Sequence, residues 1–161
     1  MMYKRILVAV DGSPTSNAGL EEALKLAKDH GAAIGLLHVV DELGIVSAPE
    51  GLVNAGAMIE VLRQGGEQIM MRIATLVRKR GFEPQTTIVE AIGTRVADVI
   101  VRHAKRWRAD LIVMGTHGRR GINRMFMGSD AELVVRTAPV PVLLVRAGYG
   151  RRKSGRTRSK S

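Results

Sequence analysis

Residues 111–118 read Leu-Ile-Val-Met-Gly-Thr-His-Gly, and Gly128-Ser129 follows after nine further residues. The first four residues are all apolar, which is typical of a parallel strand that is covered on both faces. Apolar residues at positions 131, 134, 135 and 138 predict a short helix that stops before Pro139. The stretch therefore predicts a strand, a glycine-bearing loop and a helix, which is a building block of α/β proteins.

The same alternation of strand and helix extends through the rest of the chain. Five short segments rich in Ile, Val and Leu are predicted to be strands: Lys4–Val10, Ala33–Val40, Gln85–Glu90, Leu111–Met114 and Val140–Val145. Apolar stripes at helical spacing separate them, around residues 20–27, 62–77, 96–107 and 131–138. This order predicts a doubly wound parallel sheet with helices on both faces. Such sheets bind ligands beyond the carboxyl ends of the strands, where the winding reverses.

Composition excludes several classes of protein. The 161 residues suffice for one domain, and the chain contains no cysteine. Disulfides, thiolate zinc sites and a cysteine nucleophile are therefore excluded. There is no G-x4-G-K-[ST] motif of a P-loop NTPase and no G-x-G-x-x-G dinucleotide motif. No stretch approaches the ~18 apolar residues of a membrane helix, so we expect a soluble cytoplasmic protein without a membrane partner.

Positive charge is concentrated at the carboxyl end of the chain. The formal net charge is +10, and six of the 25 basic residues fall between positions 147 and 161, where there is no acidic residue. The remaining 19 basic residues exceed the 15 acidic residues by only four. We therefore predict a folded domain over residues 1–146 and a basic, disordered tail over residues 147–161.

The two glycine corners suit an anionic ligand. Gly115 has no side chain, so a sugar or a base could approach the backbone closely. Gly118 can adopt positive φ and turn amide groups inward as an anion nest. Gly128 would place Ser129 at the N-cap of the following helix, where unpaired N–H groups and the helix dipole favour a phosphate. The intervening loop adds the positive charges of Arg119, Arg120 and Arg124.

These motifs resemble the universal stress protein family. The segment 109–146 carries the family signature G-x2-G-x9-G-[ST] on Gly115, Gly118, Gly128 and Ser129. Residues 6–13, Ile-Leu-Val-Ala-Val-Asp-Gly-Ser, and residues 36–39, Leu-Leu-His-Val, are also similar to the family. The resemblance covers roughly residues 3–146, and the glycines are those of the ATP-binding branch. It implies an adenine nucleotide alpha hydrolase-like fold with strand order 3-2-1-4-5.

The resemblance also implies an ATP site between strands one and four. The backbone of Val39 would pair with the adenine edge, and Mg²⁺ or Mn²⁺ often accompanies the phosphates in the family. Three residues, Ala9, Val10 and Asp11, would lie near the base and the sugar. Gly115 would line the ribose, and Gly118, Arg119, Gly128, Ser129 and Asp130 would surround the phosphates. Met114 and His117 are further candidate binding residues.

Two of these residues, Asp11 and Asp130, and also His38 need separate interpretation. Asp11 could instead cap the first helix before Pro14. Asp130 departs from the family, in which this position often carries a small or apolar residue, and its carboxylate would repel a triphosphate unless it points away or meets a metal. His38 is interpreted as a core histidine at the end of a buried strand.

The function predicted from the sequence is that of an ATP-binding regulatory module with slow or no hydrolysis. A weak metal-dependent ATPase, assisted by His117 or Asp11, is one alternative. Binding of nucleic acid or an acidic partner through the basic tail is another. We also expect a homodimer, because the apolar strand Val140–Val145 should lie at a sheet edge that needs covering. Members of the family commonly dimerise through this strand.

Overall fold

The computed structural model describes residues 2–41, 55–117, 127–146 and 148. Strands and helices alternate throughout these ranges. The elements are β1 Arg5–Ala9, α1 Pro14–His30, β2 Ala33–Val40, α2 Ala55–Lys79, β3 Gln85–Glu90, α3 Val96–Trp107, β4 Leu111–Gly115, α4 Ser129–Thr137 and β5 Val142–Val145. None of the helices in these ranges is both long and apolar enough to cross a membrane.

The five strands form one parallel sheet in the order β3-β2-β1-β4-β5. This order confirms the prediction. Helices α1 and α2 pack on one face of the sheet, and α3 and α4 pack on the other. The winding therefore reverses between β1 and β4, which pair with each other at the centre of the sheet.

Successive residues of the central strands enter opposite layers of the core. In β1, Ile6 and Val8 pack in the layer with α1 and α2, whereas Leu7 packs in the layer with α3 and α4. In β4, Val113 and Ile112 divide in the same way. All five side chains are fully buried. A strand with a core on each face needs an unbroken apolar run, which is why the sequence shows one here.

Some boundaries differ from the prediction. The expected strands Lys4–Val10 and Val140–Val145 are shorter in the structure, since β1 is Arg5–Ala9 and β5 starts at Val142. Pro141 has no N–H group, although its carbonyl still accepts a hydrogen bond of 3.0 Å from the N–H of Ile112. Of the predicted tail over residues 147–161, only Gly148 is described, so the predicted disorder lies outside the described residues.

Candidate functional site

At the carboxyl edge of the sheet, the central strand β1 ends before both of its neighbours. β1 pairs with β2 as far as Ala9 and with β4 as far as Val8. β2 continues three residues beyond this point and β4 continues two. A cavity of about 530 Å³ occupies the resulting notch, where the winding of the sheet reverses.

Ten of the twelve predicted binding residues line this one cavity. They are Ala9, Val10, Asp11, Val39, Met114, Gly115, His117, Gly128, Ser129 and Asp130. The other two, Gly118 and Arg119, belong to the segment 118–126, which lies outside the described residues. The structure thus brings together residues from the ends of β1, β2 and β4 and from the start of α4.

The turn after β1 is built around Asp11. One oxygen of its carboxylate accepts a hydrogen bond of 2.9 Å from the N–H of Ser13, and Gly12 takes a positive φ of 78°. The hydroxyl of Ser13 accepts the N–H of Ser16 at 3.2 Å, so Ser13 is the N-cap of α1. Asp11 therefore supports the turn that precedes the cap, and it also lines the cavity.

The close packing of α1 against the end of β4 requires a glycine at position 115. A Cβ atom there would stand 2.6 Å from the hydroxyl oxygen of Thr15 and 2.8 Å from its carbonyl carbon. The missing side chain therefore makes room for the first turn of α1. The Thr15 hydroxyl donates a hydrogen bond to the carbonyl oxygen of His117, which ties α1 to the end of β4.

Thr116, which directly follows β4, is hydrogen-bonded both to β5 and to the residue that directly precedes α4. The N–H of Thr116 donates to the carbonyl of Val145 at 3.0 Å, and the N–H of Gly128 donates to the carbonyl of Thr116 at 2.9 Å. The expectation that Ser129 caps the helix is wrong, because Gly128 is the N-cap and Ser129 is the first helical residue. Since Gly128 has no side chain, the N-cap residue makes no side-chain hydrogen bond to the first turn, and both Gly128 and Ser129 line the cavity.

The described wall of the cavity is acidic. Asp11, Asp41 and Asp130 contribute carboxylates, and no lysine or arginine of the described ranges lines it. Asp130 lies in the first turn of α4, where its negative charge is favourable to the helix dipole. Within the part of the chain that the structure describes, no group of three or more His, Asp or Glu residues could hold a metal ion on its own.

The structure adds residues to the wall that the sequence did not indicate. They are Ser16, Leu37, His38, Val40, Asp41, Leu62, Val96, Ile100, Thr116 and Ala131. Leu62, Val96 and Ile100 belong to the apolar stripes of α2 and α3. The spacing of apolar residues in such a stripe does not show whether the stripe faces the core or a ligand. His38 is only 4 % exposed, as expected of a core histidine, yet it also borders the cavity.

His117 is held at the junction of β4 and the glycine loop. Its Nδ1 atom lies 3.0 Å from the hydroxyl oxygen of Thr116. Its Nε2 atom is buried and has no hydrogen-bond partner among the residues described. The ring is therefore part of the cavity wall beside Gly128.

A sequence model of the universal stress protein family matches residues 2–146 of the chain. The chain is similar to universal stress protein MJ0531 of Methanocaldococcus jannaschii, with 34 % identity over 146 residues, which cover 90 % of this chain and 83 % of that protein. Among solved structures it is similar to universal stress protein UspA from Lactobacillus plantarum, with a TM-score of 0.77, 28 % identity and coverage of 91 % and 99 % of the two chains. A universal stress protein from Archaeoglobus fulgidus in complex with dAMP is also similar, with a TM-score of 0.62, 25 % identity and coverage of 90 % and 99 %.

We predict that replacing Gly115 with alanine destabilises the protein, because the new methyl group would overlap with Thr15. Overpacking of this kind costs about 2 kcal/mol, which should lower the melting temperature by roughly 6 °C. Gly65→Ala is the control, since its Cβ would meet nothing within 4 Å. Thermal unfolding followed by circular dichroism measures both. A G115A protein as stable as the wild type would contradict the packing role.

Proposed function

The chain belongs to the universal stress protein family, and from this premise we propose that it binds ATP in the cavity at the carboxyl edge of the sheet. Binding serves regulation in a stress response, with slow or no hydrolysis. The observation that carries the proposal is the convergence of ten predicted binding residues, from four separate elements, on one cavity. Its volume of about 530 Å³ lies within the range of ~300–1,000 Å³ typical of small-molecule sites.

The end of the cavity near β2 suits an adenine ring. Val39 lies two residues beyond Leu37, the last residue of β2 that pairs with β1. Its backbone groups face the same side as those of Leu37, so they border the notch rather than a neighbouring strand. Adjacent N–H and C=O groups match the acceptor and donor on the edge of adenine. Leu37, Met114 and Ile100 provide apolar surface for the faces of the ring.

The opposite end of the cavity suits phosphates. The amino end of α4 presents backbone N–H groups of its first turn, with Gly128 and Ser129 in the wall. Unpaired amide groups and the helix dipole favour an anion at this point. Asp11 follows β1, the strand between β2 and β4, and in this proposal its carboxylate accepts hydrogen bonds from ribose hydroxyls. The notch thus has an apolar end, a carboxylate and an anion-binding end, in the order in which ATP carries its base, sugar and phosphates.

The acidic wall favours a divalent cation together with the nucleotide. Three carboxylates line the cavity, so bare ATP would meet repulsion there. Mg²⁺ or Mn²⁺ bound through the phosphates would reduce this repulsion, and carboxylates are ligands that both ions accept. The cation would arrive with ATP, since the described residues provide no metal cluster of their own.

Regulation by binding is favoured over catalysis. Asp11 uses one carboxylate oxygen to hold the turn before α1, and the Nε2 atom of His117 is buried. Neither group is therefore set up to activate a water molecule. Hydrolysis assisted by either residue remains the alternative function, and it requires sustained release of phosphate that Asp11→Ala abolishes while ATP still binds. The basic tail and the cytoplasmic location are not needed for this function and stay predictions.

The first test is thermal stabilisation by ATP with Mg²⁺. A hundredfold excess of ligand over Kd should add about 2.7 kcal/mol to the free energy of unfolding of the wild type. Gly128→Val should remove this gain in stability, because the isopropyl group would occupy the anion-binding end of the cavity. A Cβ atom alone fits at this position. Val135→Thr is the control, since Val135 is an exposed residue of the same helix outside the cavity. An unchanged melting temperature of the wild type at millimolar ATP would refute the proposal.

The second test concerns Asp130. Removing one negative charge with Asp130→Asn should strengthen binding of metal-free ATP about fivefold, which is the effect of ~1 kcal/mol of partly screened repulsion. The gain should shrink when Mg²⁺ is present and should vanish for adenosine, which has no phosphate. Isothermal titration calorimetry with the two ligands, each with Mg²⁺ and with a chelator, measures these differences. Equal gains for adenosine and ATP would contradict an electrostatic effect on the phosphates.

We further propose that the chain forms a homodimer through β5, which is one of the two edge strands of the described sheet. The carbonyls of Pro141 and Val145 accept hydrogen bonds from β4, so residues 142 and 144 direct their backbone groups to the open edge. Val142, Leu143 and Leu144 are half-buried, and a second copy of the strand would cover this apolar edge.

Light scattering at micromolar concentration should therefore give the mass of a dimer. Val142→Pro removes an N–H group that faces the edge, and proline is tolerated at the first residue of a strand. This variant should be a folded monomer. A wild type that is monomeric at this concentration would exclude the proposed dimer.

A further inference from the structure

His38 occupies the place where the ladder between β1 and β2 ends. It is a residue of β2 and is 4 % exposed, and its Nδ1 atom lies 2.7 Å from the carbonyl oxygen of Val10. A carbonyl oxygen only accepts hydrogen bonds, so Nδ1 carries the proton and donates. The imidazole therefore bonds to the residue that directly follows β1, at the floor of the cavity.

This side-chain hydrogen bond replaces the next rung of the ladder. The N–H of Val10 donates to the carbonyl of Leu37 at 2.8 Å. In a parallel ladder the next bond would join the N–H of Val39 to the carbonyl of Val10. His38 donates to that carbonyl, the ladder ends at Ala9 and Leu37, and Val39 lines the cavity.

The other side of the imidazole rests against a glycine of α2. A Cβ atom at Gly66 would lie 2.6 Å from Cδ2 of His38 and 2.8 Å from Nε2. At the preceding residue, Gly65, a Cβ atom would meet nothing within 4 Å. Glycine inside a helix is costly relative to alanine. The space that the imidazole needs accounts for Gly66.

We infer that Gly66 and His38 form a positioning pair that sets the base end of the nucleotide site. The bare backbone at residue 66 lets the imidazole stand between α2 and β1, where it holds the carbonyl of Val10. The N–H of Val39 is thereby kept for the edge of the base. Neither residue belongs to the glycine signature. This inference rests on the proposed function, and it assigns to α2 an influence on a site formed mainly by strand ends.

The test compares three variants, Gly66→Ala, Gly65→Ala and the double variant His38→Asn/Gly66→Ala. Gly66→Ala should displace the imidazole and weaken binding of both adenosine and Mg²⁺-ATP by the same factor, at least ~10-fold, because the change is at the base end. Gly65→Ala adds the same methyl group one residue away in open space and should leave both Kd values within about twofold.

The double variant distinguishes a positioning role of the pair from a nonspecific loss of stability. Asparagine carries an N–H donor at the place of Nδ1 and lacks the Nε2 atom that a Cβ at residue 66 would strike. Although its Oδ1 atom takes the place of Cδ2, asparagine has no ring and can turn its amide away from the new methyl group. It should therefore restore both affinities to within about threefold of the wild type. A merely structural role would lower the melting temperature of G66A without changing the Kd of the folded protein, measured by calorimetry well below that temperature.

Failure of this inference differs from failure of the proposed function. If the wild type binds and G66A binds with equal affinity, or if His38→Asn does not rescue G66A, the positioning pair is refuted. If the wild type binds neither ligand, the proposed function fails. In that case the test of the pair is protein stability. If adding His38→Asn to G66A does not raise its melting temperature, the pair is refuted.

Discussion

The site depends on the length of β1, because the central strand of the sheet stops before both of its neighbours do. Asp11 and Gly12 turn the chain away directly after the strand, with Gly12 at a positive φ of 78°. β2 and β4 continue past this point, so their ends form two walls with the turn between them as the floor. A doubly wound sheet leaves this position uncovered, since consecutive helices pack on opposite faces on either side of it. The position of the cavity follows from that notch, and the helices complete its wall.

The fold could be predicted from the sequence because each central strand needs apolar residues on both faces. An unbroken apolar run such as Ile6 to Val8 is explained by a parallel strand that is covered on both faces. Its residues do divide between the two core layers. The exact ends of the strands and helices were harder to predict from the sequence, because they depend on tertiary hydrogen bonds. β1 ends at Ala9 although Val10 is apolar, since the carbonyl of Val10 bonds to a side chain of β2. The N-cap of α4 is Gly128 rather than Ser129, and nothing in the local sequence distinguishes these two.

The residues predicted at the strand ends do line one cavity, whereas the residues of α2 and α3 that complete its wall were not predicted. Gly115 is among the predicted residues, but the atoms that require a glycine there belong to Thr15, about a hundred residues earlier in the chain. Such a contact follows from topology and leaves no local signal. Gly66 has a comparable relation to His38, and a glycine pair inside a helical pattern was the only sign of it. Backbone space, rather than side-chain chemistry, is what these glycines contribute.

The most direct measurement of the central claim is a crystal structure grown with Mg²⁺ and a non-hydrolysable ATP analogue. Our account predicts that the adenine edge contacts the backbone of Val39 and that the phosphates lie at the amino end of α4, beside Gly128 and Ser129. A nucleotide bound elsewhere, or a notch filled by the protein's own side chains while the analogue is in excess, would contradict it.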